Sequence, residues 1–241
     1  MIRGLAVVVP AHQEELLLGD CLGSVGAALD ASGIPLGERH VVVVADACTD
    51  RTAAVARAAG AHVVPADHRN VGAARRTGAV HALRLVGRTD LDAVWLAVTD
   101  ADTLVPRHWI AEQLRHARDC DAVVGTVAVR NWSARGPGAG QRFERVYPRD
   151  RGGTHPHVHG ANLGVRASAY CDVGGFPPLP CSEDLALVTA LEAAGYRVRR
   201  PLDPAVTTSA RPDPRARGGF GDYLTRTLGA GVRPGPTLPR A

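Results

Sequence analysis

Asp100 and Asp102 stand one residue apart where the apolar run Trp95, Leu96, Ala97, Val98 ends, with Pro106 shortly beyond. The run is short, rich in β-formers and bounded by a breaker, which predicts a buried strand. Its acids then sit at the strand's carboxyl end, where open α/β sheets place their ligands. Aspartates at i and i+2 of a loop can face one cation, and hard oxygen donors suit magnesium or manganese. Such an ion can grip a diphosphate. The competing reading is a pair of turn-forming, helix-capping acids.

Three more polar segments follow predicted strands. Pro10, Ala11, His12, Gln13 and Glu14 follow 5–9, Asp46 follows 40–45, and a segment from Asn70 to Arg76 follows 61–65. Each has a structural reading beside the functional one. Glu14 suits a helix amino terminus, Asp46 an Asx-turn and Asn70 a helix cap. Their recurrence on one edge of one sheet favours a shared ligand.

The elements that must hold these groups alternate. Strands are predicted at 5–9, 40–45, 61–65, 95–98, 122–129 and 160–165. Between or after them come helices at 14–29, 53–59, 70–85, 106–118 and 183–195, the last with Leu185, Val188 and Leu191 on its apolar face. A short helix is expected over 141–147. Strands apolar throughout, alternating with helices, predict an α/β fold with a mostly parallel sheet covered on both faces. After Asn131 the composition shifts to Arg135, Arg142, Arg145, Arg149 and Arg151 among glycines, a long loop that reads as a solvated surface segment or, alternatively, as one that closes over donor or recognises an acidic acceptor. Pro and Arg dominate 201–217, where Arg211 to Arg217 can reach a diphosphate or form a surface strip. The Pro/Gly-rich stretch 231–241 reads as a disordered tail.

With 241 residues and 45% apolar content, the chain can bury the core of one larger α/β domain. The net charge of +4 is carried by dispersed arginines without aromatic interleaving, which excludes a nucleic-acid partner. Five cysteines with no Cys-x-x-Cys pair indicate neither zinc nor a disulfide framework; free thiols in a cytoplasmic location are expected. The run 5–9 is too short for a signal-peptide core of about 7–15 residues. No stretch nears the roughly 20 apolar residues that cross a bilayer. Peripheral membrane contact stays open.

In this order the motifs resemble glycosyltransferase family 2 of the GT-A fold, over about residues 5–196. They are Pro10 to Glu14, Asp46, Asn70-x-Gly72 with Arg75, Asp100-x-Asp102, Gly160-Ala161-Asn162, Gly174-Gly175-Phe176 and Glu183-Asp184. The resemblance implies one GT-A domain over 1–230, with a nucleotide-binding half at about 1–130 and an acceptor-side half at about 131–230. It implies that Pro10, Ala11 and His12 line the nucleotide, while Glu14 and Asp46 accept hydrogen bonds from ribose and base. Arg75, with Arg76 beside it, would approach the nucleotide or support the acids. Asp100 would bind ribose or metal-bound water, and Asp102 a Mn2+ or Mg2+ ion that assists the departing nucleoside diphosphate.

Asp184 is the base the resemblance implies, taking the acceptor hydroxyl's proton in a single inverting displacement. Its structural alternative is that Glu183 and Asp184 simply start a helix. His159, Asn162 and Glu183 fall in the donor-sugar or acceptor region. His155, His157 and His159 alternate, so an extended backbone puts them on one face, where they can ligate metal or contact diphosphate. His155 and His157 also read as spare histidines of an exposed loop. The expected donor is a UDP-, GDP- or TDP-sugar and the acceptor a small or lipid-linked molecule. Gln13 departs from the family's Asn, and Ala45 to Cys48 from its frequent Asp-Asp-Gly-Ser, which leaves the base open. The absence of Gln-x-x-Arg-Trp favours single transfer over polymer synthesis. A retaining transferase, a nucleotidyltransferase and a silent sugar-nucleotide binder are the rival readings.

Overall fold

A computed structural model of the chain describes residues 1–87, 89–147, 152–215 and 218–228. Arg149, Arg151, Arg217 and the expected tail at 231–241 lie outside the described residues. Parallel strands β1 (Gly4–Ala11), β2 (Arg39–Asp46), β3 (His62–Ala66) and β4 (Val94–Val98) form one half of a seven-stranded sheet. β5 (Ala122–Val124), β7 (Leu163–Arg166) and β8 (Val198–Arg199) complete it in the order β3-β2-β1-β4-β7-β5-β8. β6 (Val127–Arg130) and β9 (Val206–Ser209) pair separately as a two-stranded parallel ribbon.

β1 shows why the sheet is buried on both faces. Leu5, Val7 and Val9 pack into one core with α1 (Leu18–Asp30), α2 (Thr52–Ala58) and α4 (Trp109–His116). Ala6 and Val8 point the other way, into a core with α3 (Val71–Val86), α6 (Ala167–Asp172) and α7 (Glu183–Ala193). α3 lies so close to the sheet that a side chain at Gly78 would meet Val8 and Val44. Its start is secured by Asn70, whose Oδ1 accepts from Ala73 N at 2.9 Å. A third cluster of Phe143, Tyr147 and Leu224 joins α5 (Ala139–Val146) to α8 (Phe220–Leu228) beside the ribbon. Among the described residues no helix is long and apolar enough to cross a membrane.

Several boundaries differ from expectation for physical reasons. α1 begins at Leu18 rather than 14, because Gln13 takes a positive φ of 55° and Glu14 N donates to Thr52 Oγ1. The single strand expected at 122–129 breaks into β5 and β6 at Gly125, where any side chain would run into the amide of Asn162. The strand expected from 160 begins at Leu163, after a 3-10 turn over Gly160–Asn162. It runs antiparallel to β4 and β5, so the sheet is mixed at this one strand. α7 buries Leu187, Val188 and Leu191, whereas Leu185 is 51% exposed. The Pro/Arg-rich stretch contains β9, and α8 follows it.

Candidate active site

The carboxyl ends of β1, β2 and β4 open into a cavity of about 720 Å³, closed on the far side by α7, the histidine segment and α8. Pro10, Ala11, His12, Glu14, Asp46, Arg75, Asp100, Asp102, His159, Glu183 and Asp184 all line it. Asn162 does not, although it lies close by. Its Nδ2 donates to Thr126 O and Pro204 O, each at 2.9 Å, and its Oδ1 accepts from Trp109 Nε1 at 2.8 Å. Asn162 is buried and holds the β5–β6 break against α4.

Asp46 is also committed to the backbone. Its carboxylate accepts from the N–H groups of His68, Arg69 and Asn70, at 2.5, 3.1 and 3.2 Å, and so shapes the entry to α3. Any ribose or base would share an acceptor already in use. His12 Nδ1 donates to Asp46 O at 2.7 Å.

Two arginines organise the remaining acids. Arg75, with its side chain only 5% exposed, bridges Asp100 and Glu183 through its two terminal nitrogens. A buried cation between two carboxylates is held tightly, and removing one partner of such a pair typically costs about 3–5 kcal/mol. Gly160 backs this bridge, since a Cβ there would overlap the Arg75 guanidinium. The second arginine is Arg211, just beyond β9. It pairs bidentately with Glu14, with Nη1 to Oε2 at 2.8 Å, and its Nη2 is 3.4 Å from Asp102 Oδ2. Glu14 therefore faces a protein cation.

Asp102 is 15% exposed, and burial pushes its carboxyl up to about 6; Asp100 and Glu14 add to the rise, while Arg211 and the Thr208 hydroxyl oppose it. Antiparallel bonds between Leu104 and Thr207, at 2.8 and 2.9 Å, tie the loop after Asp102 to β9. Cys21 Sγ contacts Asp100 O at 3.3 Å, and burial above all, then Asp100 and Asp102, pushes its thiol up to about 12. It stays protonated and inert.

Asp184 is fixed at the amino terminus of α7. Its Oδ2 accepts from Gly160 N at 2.6 Å and its Oδ1 from Leu185 N at 2.8 Å. The three histidines form a ladder of near-parallel rings 6.0 Å apart, as their alternation predicts. His155 is not in an exposed loop. It is buried, and its Nε2 donates to Val124 O at 3.0 Å. His157 stacks on Tyr147 with centroids 3.8 Å apart, and His159 Nε2 lies 2.5 Å from Tyr147 Oη in a hydrogen bond. Burial, helped by His157, pushes His159 down to about 3, so its ring is neutral.

Among the described residues no cluster of three or more His, Cys, Asp or Glu side chains is arranged to hold a metal. Asp100 and Asp102 nevertheless fit Mg2+ or Mn2+, which bind through one or two carboxylates and complete their shell with phosphate oxygens and water. As the chain stands, Asp102 faces the Arg211 guanidinium at 3.4 Å.

The profile of Glycosyl transferase family 2 matches residues 6–174. The chain belongs to glycosyl transferase family 2. Among solved structures, this family 2 chain is similar to the mannosyltransferase PcManGT from Pyrobaculum calidifontis, in complex with GDP-Man and Mn2+, at 23% identity and a TM-score of 0.65. That likeness covers 90% of this chain and 59% of the other. It is also similar to residues 1–349 of S. aureus TarS in complex with UDP-GlcNAc, at 16% identity and a TM-score of 0.64, covering 93% and 65% of the two chains. The chain thus spans roughly three-fifths of the length of these structures. Both likenesses bear on the fold, which is GT-A, with the predicted mostly parallel sheet. No functionally curated sequence matches the chain.

Two arginines that shape the site carry no sequence signal of the contacts they make. Arg211 suits a diphosphate by its type, but nothing local marks it as the partner of Glu14, 197 positions away. Arg135 stood in an apparent loop. It is buried and donates to Ala210 O, Arg211 O and Thr225 Oγ1, each at 2.8 Å, and to Gly221 O at 3.3 Å. It therefore clamps α8 to the segment that carries Arg211.

Proposed function

We propose that this family 2 chain transfers one sugar from a nucleotide-sugar donor to an acceptor hydroxyl, with inversion and with the help of Mn2+ or Mg2+. One observation carries the reading: a single cavity holds the strand-end acids Asp100 and Asp102 and, on α7, an oriented carboxylate at Asp184. The complexes of PcManGT with GDP-Man and Mn2+ and of TarS with UDP-GlcNAc support a donor of the same class.

In this reading Pro10, Ala11, His12, Glu14 and Asp46 border the nucleoside, and Arg75 holds Asp100 in position. Asp100 and Asp102 would hold the divalent ion, which when bound would neutralise charge on the departing diphosphate. Asp184 accepts the proton of the acceptor hydroxyl as its oxygen bonds to the anomeric carbon; the bond from that carbon to the diphosphate oxygen breaks on the opposite face. The N–H groups of Gly160 and Leu185 aim the base without consuming all its acceptor capacity. The nucleotide side then corresponds to about 1–130 and the acceptor side to about 131–230. A cytoplasmic location with access to nucleotide sugars belongs to the same reading, as does peripheral membrane contact if the acceptor is lipid-linked.

The test is Asp184→Asn, followed by donor hydrolysis, in which water replaces the acceptor. The variant should keep wild-type nucleoside-diphosphate affinity and lose about 10²–10⁴-fold in turnover. The sugar released by the wild type should show inverted anomeric configuration by proton NMR. Near-normal turnover removes Asp184 as the base, and retained configuration removes single displacement.

A further inference from the structure

Five of the chain's ten aromatic residues, Trp132, Phe143, Tyr147, Phe220 and Tyr223, gather at the α8 end of the cavity. Trp132 and Phe143 form the backing, with Phe143 stacked on Tyr147 at 4.7 Å. Tyr147, His157, His159, Phe220 and Tyr223 line the cavity itself. Their rings are ordered against one another: His159 meets Phe220 edge-on at 5.1 Å, and Phe220 stacks with Tyr223 at 6.0 Å.

The charge distribution divides the cavity. Among the described residues, the six carboxylates that line it, Glu14, Asp46, Asp100, Asp102, Glu183 and Asp184, all belong to the strand ends and α7. The α8 side carries Arg226 instead, three residues after Tyr223 and so on the same helix face. Arg226 is exposed and forms no ion pair among the described residues. An aromatic wall can stack on the apolar face of a sugar as well as on a flat ring, but a neutral sugar has no use for the Arg226 guanidinium, whereas an anionic substituent does.

We infer that this wall is the acceptor's subsite, and that the acceptor is a hydroxylated aromatic ring bearing an anionic substituent, its ring stacked on Tyr223 and Phe220 and its anion read by Arg226. The inference rests on the glycosyl-transfer reading above. The ring enters from the side opposite the acids, its charge is kept away from them, and its hydroxyl is presented toward Asp184 in the same cavity. Offset and edge-to-face contacts favour a flat π-system over an acyl chain on such a surface.

The test is a binding titration of the full chain by saturation-transfer NMR with 4-hydroxybenzoate, phenol, methyl glucoside and octyl phosphate. UDP, GDP and TDP are titrated in the same samples with Mn2+. Of the four probes, 4-hydroxybenzoate should bind most tightly. Arg226→Gln, at an exposed position, should weaken it about fivefold and leave phenol unchanged, as for one solvent-accessible ion pair. Tyr223→Leu should weaken both aromatic probes about threefold. Tighter binding of methyl glucoside or octyl phosphate overturns the inference, as does a nucleotide-binding protein that ignores 4-hydroxybenzoate or an Arg226→Gln variant that binds it normally. If 4-hydroxybenzoate binds in an Arg226-dependent manner but no nucleoside diphosphate does, the subsite stands and the transfer reading falls. If neither binds, both fall.

Discussion

At the scale of single residues, Asp102 bears the clearest electrostatic signature. Its folded carboxyl lies near 6 against 3.8 for an ordinary aspartate, chiefly through burial. Because the folded value is the higher one, protonation favours folding. This contribution is full below about pH 4 and is lost as pH rises through about 6. The shift corresponds to about 3 kcal/mol of penalty on the ionised, metal-free protein. Asp102→Asn imitates the protonated form, so in chelator its unfolding free energy should match the wild type near pH 4. By about pH 8 it should exceed the wild type by roughly 2–3 kcal/mol. Urea denaturation across that range checks this, and a difference that does not vary with pH contradicts it. Arg211 belongs to the same balance, since it is the protein cation beside both Glu14 and Asp102.

At the scale of elements, the 3-10 turn before β7 governs how the two halves of the site meet. Gly160 gives its N–H to Asp184 and leaves room for the Arg75 guanidinium that joins Asp100 to Glu183. Neither partner can yield easily, because Arg75 is held by carboxylates on two elements. Gly160→Ala should therefore destabilise the protein by about 1–3 kcal/mol, the usual cost of overpacking. Thermal and urea unfolding would show it, and a change within about 0.5 kcal/mol would mean that Arg75 is free to move. α8 is positioned by Arg135, whose donors satisfy carbonyls on both sides of the Arg211 segment. Arg135 thereby ties the helix that carries the aromatic wall to the segment that carries the cationic partner of Glu14.

At the scale of the molecule, the sequence disclosed most where burial is regular. β1, β2 and β4 are apolar throughout because helices cover both faces, and their acids stand out where each strand ends. The direction of β7 was hidden, since a four-residue buried run looks the same in either orientation. β9 was hidden because Thr207, Thr208 and Ser209 sit in a Pro/Arg-rich stretch and pair with β6 outside the main sheet. α8 buries only Leu224 fully, too little to show a period. Around the site, the strand-end acids stand out by local pattern and Asp184 only through the family resemblance, whereas Arg135 and the Arg211–Glu14 pair depend on contacts across most of the chain. Asn162 carried a recognisable motif, yet its three hydrogen bonds are spent on the β5–β6 break.

If Asp100 and Asp102 hold a metal ion against a nucleoside diphosphate, calorimetric titration with and without Mn2+ should show at least one of UDP, GDP and TDP tightened by about tenfold or more, equivalent to 1.4 kcal/mol, in the wild type and not in Asp102→Ala. Equal affinity with and without Mn2+, or an unchanged Mn2+ effect in Asp102→Ala, would contradict it.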